Sequence, residues 1–161
     1  MRHSPSLLIV TLVALHLPQT ASGQASPDAA AATAIADSAL AAISRRDFVA
    51  LTDLMVDEAV AFSVREREGQ VRYTSRTRAQ ERATRSERTI AERGFRPEAR
   101  VSGRLAVVWM PYDLYLDGQW SHCGVDTFIM LRLDTGWRIA SMAWSVDQPP
   151  ICEKHPDGPP G

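Results

Sequence analysis

Three β-forming runs joined by two tight-turn signals constrain this chain more than any other feature. "RLAVVWMPYDLYL" (residues 104–116) and "QWSHCGVDTFIMLRL" (119–133) flank Asp117-Gly118, and Asp134-Thr135-Gly136 leads into "WRIASMAWSV" (137–146). An Asp-Gly pair between two such runs marks a hairpin, because the favoured two-residue turn needs positive φ at both positions. The last third of the chain therefore reads as an antiparallel meander. Pro111 donates no backbone hydrogen bond, so it predicts a bulge or an edge position in its strand.

The preceding residues read as helices followed by weaker strands. Ser26-Pro27-Asp28 is a helix start, with a cap, a first-turn proline and an acid at the positive end of the dipole. Ile35, Ala39, Leu40 and Ile43 follow at helical spacing. Asp47 caps a second short helix carrying Phe48, Leu51, Leu54 and Met55. Val60 to Val64 reads as a strand, Gly69 as a turn, and Thr74 or Ser75 as the cap of a short polar helix reaching about Arg85. Ile90 to Ser102 suits an outer strand. Helices first and a meander after predict an α+β domain with the helices packed on one face of the sheet. No internal repeat is present.

At the N-terminus, Arg2 and His3 precede the apolar run Leu7–Leu17, which ends at Pro18 and the small residues "TASGQA". That is the pattern of a secretory signal, with cleavage after Gly23 or Ala25. The run is shorter than the roughly 20 residues of a spanning helix. The expected organisation is a signal peptide over 1–25, a domain over 26–147 and a Pro/Gly-rich tail over 148–161. The mature protein is expected to be periplasmic or extracellular, without membrane contact. In an oxidising compartment Cys123 and Cys152, the only two cysteines, are expected to form a disulfide that ties a strand to the tail.

The helix pair "RRDFVALTDLM" and the stretch from "AVVWMPYDLYL" to "GWRIASMAW" resemble the nuclear transport factor 2-like superfamily, which includes ketosteroid-isomerase-like and polyketide-cyclase-like proteins. The resemblance covers about Ala34 to Val146 and extends to small exported bacterial members of unassigned function. It implies a cystatin-like cone, a strongly curved and mostly antiparallel sheet around a helix, with a pocket at the open end. It also implies a homodimer through the sheet's outer face.

Strand parity sorts the candidate site residues. In "SHCGVD" adjacent side chains point to opposite faces. His122 and Cys123 therefore do not readily share a metal ion with Cys152 and His155, nor pair as nucleophile and base. No metal and no cofactor are expected. A bulge at Gly124 is the one feature that would redraw these faces. His122, Gly124, Asp126, Phe128, Met130 and Arg132 share one face. Cys123, Val125, Thr127, Ile129, Leu131 and Leu133 share the other. His122 and Asp126 lie about 13 Å apart along a strand, too far for a direct dyad. They are near enough to hold different parts of one ligand. An acid among apolar neighbours has its pKa raised, which makes it useful for proton transfer near neutrality.

Three functions stay open on these residues. The first is binding of a small apolar molecule in the cone, with Trp109, Tyr112, Phe128 and Trp144 as lining. The second is a cofactor-free isomerase, cyclase or dehydratase reaction with Asp126 as base and His122 as polarising partner. The third is a scaffold that uses the sheet face for dimerisation or a protein partner. A nucleic-acid partner is not expected. The net charge is −1, and the 12 arginines between Arg65 and Arg104 alternate with Glu and Thr, with Tyr73 and Phe95 as the segment's two aromatics, too sparse a set for base stacking.

Overall fold

The computed structural model describes residues 26–160. The Leu7–Leu17 run and both cleavage positions lie outside the described residues. Helix α1 (Pro27–Ser44) begins where Ser26 Oγ accepts a hydrogen bond from the Ala29 amide at 3.1 Å. Its buried stripe is mostly alanine, at positions 29, 32, 36 and 39 with Leu40. Small side chains at helical spacing let the helix lie close against the sheet. Asp47 caps α2 (Phe48–Asp53), accepting from the Ala50 amide at 2.9 Å.

The strands are β1 (Met55–Arg67), β2 (Gln70–Thr77), β3 (Ile90–Gly94), β4 (Glu98–Ser102), β5 (Leu105–Leu116), β6 (Gln119–Leu133) and β7 (Gly136–Val146). Within the described residues they form one curved sheet in the order β2-β1-β7-β6-β5-β3, with β4 also pairing with β5. The fold is α+β, with the helices gathered on one face. The meander forms as its turns require: Asp117 and Gly118 both take positive φ, at 52° and 76°. The β1–β7 pairing is parallel and joins the two ends of the domain. That long-range contact brings β1 and β2 beside the meander.

Several local expectations are revised. The polar helix is only α3 (Arg78–Arg82), because residues 70–77 pair with β1 as β2. Thr77 caps it, with Gln80 bonding back to the Thr77 amide at 2.8 Å. Ile90 to Ser102 is two strands rather than one. Both pair with β5, and the break between them falls opposite Pro111. Pro111 is therefore neither at an edge nor in a bulge. It sits where β5 changes partner, and its carbonyl accepts from the Phe95 amide at 2.9 Å.

The bulge in β6 falls at Ser121, between the Trp120–Tyr115 and His122–Leu114 pairs, and not at Gly124. Gly124 instead permits a close approach. A Cβ there would collide with the Ser145 carbonyl, the oxygen to which Tyr112 Oη donates at 2.7 Å.

The two faces of β6 have different fates. Asp126, Phe128 and Met130 are buried beneath the helices, whereas Ile129 and Leu131 are about 42% and 37% exposed on the outer face. Cys123 and Cys152 form a disulfide, with Cα atoms 5.9 Å apart. Beyond it the His155 amide donates to Asp113 Oδ2 at 3.0 Å, and Arg93 grips the same carboxylate with two bonds of 3.0 and 2.7 Å. Asp113 is fully buried under this part of the tail.

Candidate functional site

A cavity of about 100 Å³ opens between the helices and the inner face of the sheet. Its apolar wall is Ile43 from α1, Phe48 and Leu51 from α2, and Met142 and Trp144 from β7. Its polar groups are Arg76 from β2, Glu81 from α3, Glu92 from β3 and Asp126 from β6. Strand register explains the meeting. Asp126 pairs with Met110 on one side and Trp144 on the other, so it lies at the centre of the sheet. Glu92 is held through its backbone: Ser44 Oγ, at the end of α1, accepts from the Glu92 amide at 2.9 Å and donates to its carbonyl at 3.1 Å.

The electrostatics are unusual for a core. Asp126 is 2% exposed, and its Oδ2 has no hydrogen-bond partner among the described residues. Burial raises its pKa well above the usual carboxylate range, and the charge of Glu92 raises it further. Burial pushes Glu92 up to about 8. Arg76 Nε donates to Glu81 Oε1 at 2.6 Å, and the guanidinium lies 5.7 Å from the centroid of the Trp144 ring. The Glu81 side chain is nearly enclosed, whereas that of Arg76 is 41% exposed. Arg76 thus marks the mouth and Asp126 the floor.

The structure separates residues that parity had grouped. His122 shares a strand face with Asp126 but does not line this cavity. It rests against the edge of Tyr112, with ring centroids 5.9 Å apart, and Ser121 Oγ lies 3.0 Å from its Nδ1. Burial and the nearby Arg65 lower its pKa, which favours the neutral ring. Of the four aromatic residues expected as lining, only Trp144 reaches the cavity. Phe128 and Tyr112 are fully buried core, and burial together with Asp126 raises the Tyr112 pKa. Trp109 is on the other face, 51% exposed, in an open groove of about 470 Å³ with Phe62, Val64 and Tyr73. A larger depression, about 740 Å³, runs along the β1–β2 hairpin between charged side chains and encloses none of the carboxyl groups with raised pKa. Among the described residues no three His, Cys, Asp or Glu side chains converge in a metal-binding arrangement.

Glu92, Arg76 and Glu81 were not singled out by sequence. They lie in the Arg/Glu-rich segment, which reads as a solvated face. The available signal was Glu92 at two-residue spacing from Ile90 and Gly94, an acid flanked by non-polar positions.

The SnoaL-like domain family matches residues 32–149. The chain belongs to that family. As a SnoaL-like domain it falls within the nuclear transport factor 2-like superfamily, as the hairpin motifs implied. A nuclear transport factor 2-like protein from Novosphingobium aromaticivorans with a cystatin-like fold is similar at a TM-score of 0.60 and 14% identity, covering 74% of this chain and 81% of that one. A ketosteroid isomerase-like protein from Erwinia carotovora atroseptica gives 0.55 and 16%, covering 77% and 99%. A Nostoc punctiforme protein with a cystatin-like fold gives 0.59 and 7%, covering 76% and 92%. At these identities the SnoaL-like domain shares a fold with its neighbours. Comparison with curated proteins returns no match.

Proposed function

We propose that the cavity floored by Asp126 binds a small, largely apolar molecule and exchanges a proton with it. The observation that carries this reading is the buried, unpartnered Asp126 Oδ2 among apolar walls. An unpaired buried polar atom costs about 1–3 kcal/mol, so its retention on the cavity floor supports a role beyond packing. Raised carboxyl pKa values are the usual means of making an acid or base effective near neutrality. The reaction class is cofactor-free acid–base chemistry of the isomerase, cyclase or dehydratase kind. Glu92, which lines the same cavity, takes the partner role that sequence parity assigned to His122. The likeness to a ketosteroid isomerase-like structure supports the class and leaves the substrate open. Native mass spectrometry of the purified protein tests the binding. A copurified small molecule lost on replacing Asp126 is the expected result, and a cavity that stays empty in every preparation counts against it.

The outer face supports a second role for the sheet. Phe62, Val64, Val107, Trp109, Ile129 and Leu131 are all exposed there, which suits an interface with a second copy of the chain. The scaffold reading rests on this surface alone. Export is proposed from the N-terminal apolar run and the disulfide, since such bonds persist in oxidising compartments. Sequencing the N-terminus of the mature protein from fractionated cells tests it. Several arginines of the basic segment are engaged internally, Arg93 with Asp113, Arg88 with Asp117 and Arg82 with Asp53, which supports a reading without nucleic acid.

A further inference from the structure

We infer that the ligand of this cavity is the carboxylate form of a small apolar acid, its charged end held by Arg76 at the mouth and its apolar part facing Asp126. This rests on the binding reading above and adds the chemical class of the ligand.

Arg76 is held in place but not used up. Only its Nε is engaged, by Glu81, and among the described residues neither Nη1 nor Nη2 has a hydrogen-bond partner. A guanidinium presents donors on two edges, and a free edge matches a carboxylate. Its position is constrained from three directions. Glu81 anchors Nε, the Trp144 ring lies within cation–π range, and the Thr77–Gln80 capping box sets the helix that carries Glu81. Such a donor is pre-organised, so little side-chain entropy is lost when a ligand binds.

Size sets which end of the ligand faces inward. At about 100 Å³ the enclosed space is the liquid volume of roughly three waters. It admits a compact apolar group against Phe48, Leu51 and Met142, and leaves a charged end at the rim. Arg76 occupies that rim, since it is partly exposed where Asp126 is not.

Hydrogen-bond polarity selects the charged end. Arg76 has donors only, and Glu92, which lines the same cavity, is a donor in its protonated form, its pKa being raised. Glu81, the acceptor beside them, has its Oε1 engaged by Arg76. A ligand presenting acceptors without donors complements this set. A cation would face Arg76, and an amide would set N–H groups against N–H and O–H groups.

Matched pairs of probes test the assignment: benzoate against benzamide, and butyrate against butyramide. Binding is titrated at about pH 6, where free carboxylates are ionised, and followed by the Trp144 indole N–H resonance. On the wild-type protein each carboxylate is expected to bind about tenfold more tightly than its amide, a difference of about 1.4 kcal/mol. Arg76→Gln should reduce that ratio to about one by weakening the carboxylate more than the amide, and Arg76→Lys should restore part of it. Because Arg76→Gln leaves Glu81 as a buried unpaired charge, the double variant R76Q/E81Q serves as the folded control, and the same loss of preference is expected there. Equal binding of acid and amide by the wild type, or a preference that survives in R76Q/E81Q, overturns the carboxylate assignment and leaves the cavity a binding site. If neither pair moves the Trp144 resonance, the binding reading falls with it.

Discussion

Asp126 on β6 and Glu92 on β3 bring two carboxyl groups to one cavity, and neither forms an ion pair among the described residues. The cation beside them, Arg76, is engaged by Glu81 instead. Two acids without a counter-charge are costly to ionise together, so protons are retained there at a pH where exposed carboxylates have lost them. Replacing Asp126 with Asn keeps the shape and removes the titration. Any proton-transfer turnover should fall by about 10²–10⁴-fold. Stability at about pH 8 should be unchanged or higher, because an unpaired buried acid is removed. A substrate assay and urea unfolding measure the two effects, and undiminished turnover on a confirmed substrate would remove Asp126 from the mechanism.

Stability should fall as pH rises through the window set by Glu92. Unfolded Glu92 releases its proton near 4.5, whereas the folded residue retains it up to about 8. Between these values the folded state binds more protons, so each rise in pH favours unfolding. The slope approaches about 1.4 kcal/mol per pH unit for one fully shifted group. It flattens above about 8, once the folded residue has also lost its proton. Asp126 acts in the same direction. Glu92→Gln should reduce the slope in urea titrations across this window, and an unchanged slope would place the raised acidity elsewhere.

Gly124→Ala should destabilise the fold by about 1–3 kcal/mol, because the added methyl meets backbone, which cannot turn aside. Tyr112→Phe should cost about 1 kcal/mol by removing the hydrogen bond to the Ser145 carbonyl. Both changes act on that carbonyl, so the double variant should be less destabilised than the sum. Denaturant midpoints of the four proteins measure this, and strict additivity would mean that the contacts are independent.

Removing the disulfide with Cys152→Ala should lower stability by about 3 kcal/mol for a bridge spanning 29 residues. The His155 amide should then exchange faster with solvent, because the tail segment that brings it to Asp113 is no longer pinned. Hydrogen exchange reads this directly. Protection at His155 that persists in the variant would show that Arg93, Asp113 and the aromatic contact with Phe95 hold the tail unaided.

The sheet face should govern self-association. Trp109→Glu places a charge at the centre of the exposed apolar row without touching the cavity. Sedimentation is expected to show a dimer for the wild type and a monomer for the variant. A wild type that stays monomeric at high concentration would leave the row without that partner.

The motifs that sequence read correctly are local ones. Ser26 and Asp47 cap their helices, Asp117-Gly118 forms its turn, and alternation along β6 groups Asp126, Phe128 and Met130 on one face, which the structure buries beneath the helices. Each depends on backbone preference or side-chain period over a few residues, which composition encodes directly. The Cys123–Cys152 pairing followed from there being only two cysteines. Parity errs only when it is extended along a strand. His122 and Asp126 do share a face, yet Tyr112, cross-strand partner of the intervening Gly124, packs against the His122 ring, and only Asp126 reaches the cavity.

The site itself comes from contacts between residues far apart in the chain. Parallel pairing of β1 with β7 carries β2, and with it Arg76 and Glu81, to Trp144, while Ser44 at the end of α1 holds Glu92 over Asp126. In sequence Arg76, Glu81 and Glu92 have the same polar surroundings as the exposed charges around them. Their burial depends on which strands become neighbours, and that is decided by packing the alanine stripe of α1 into the curved sheet. The sequence by itself determined the three meander strands with their turns, the caps of α1 and α2, and the bridge, because those preferences act over a few residues. Only the tertiary structure decided which charges face the cavity, because desolvation depends on what surrounds a group in space.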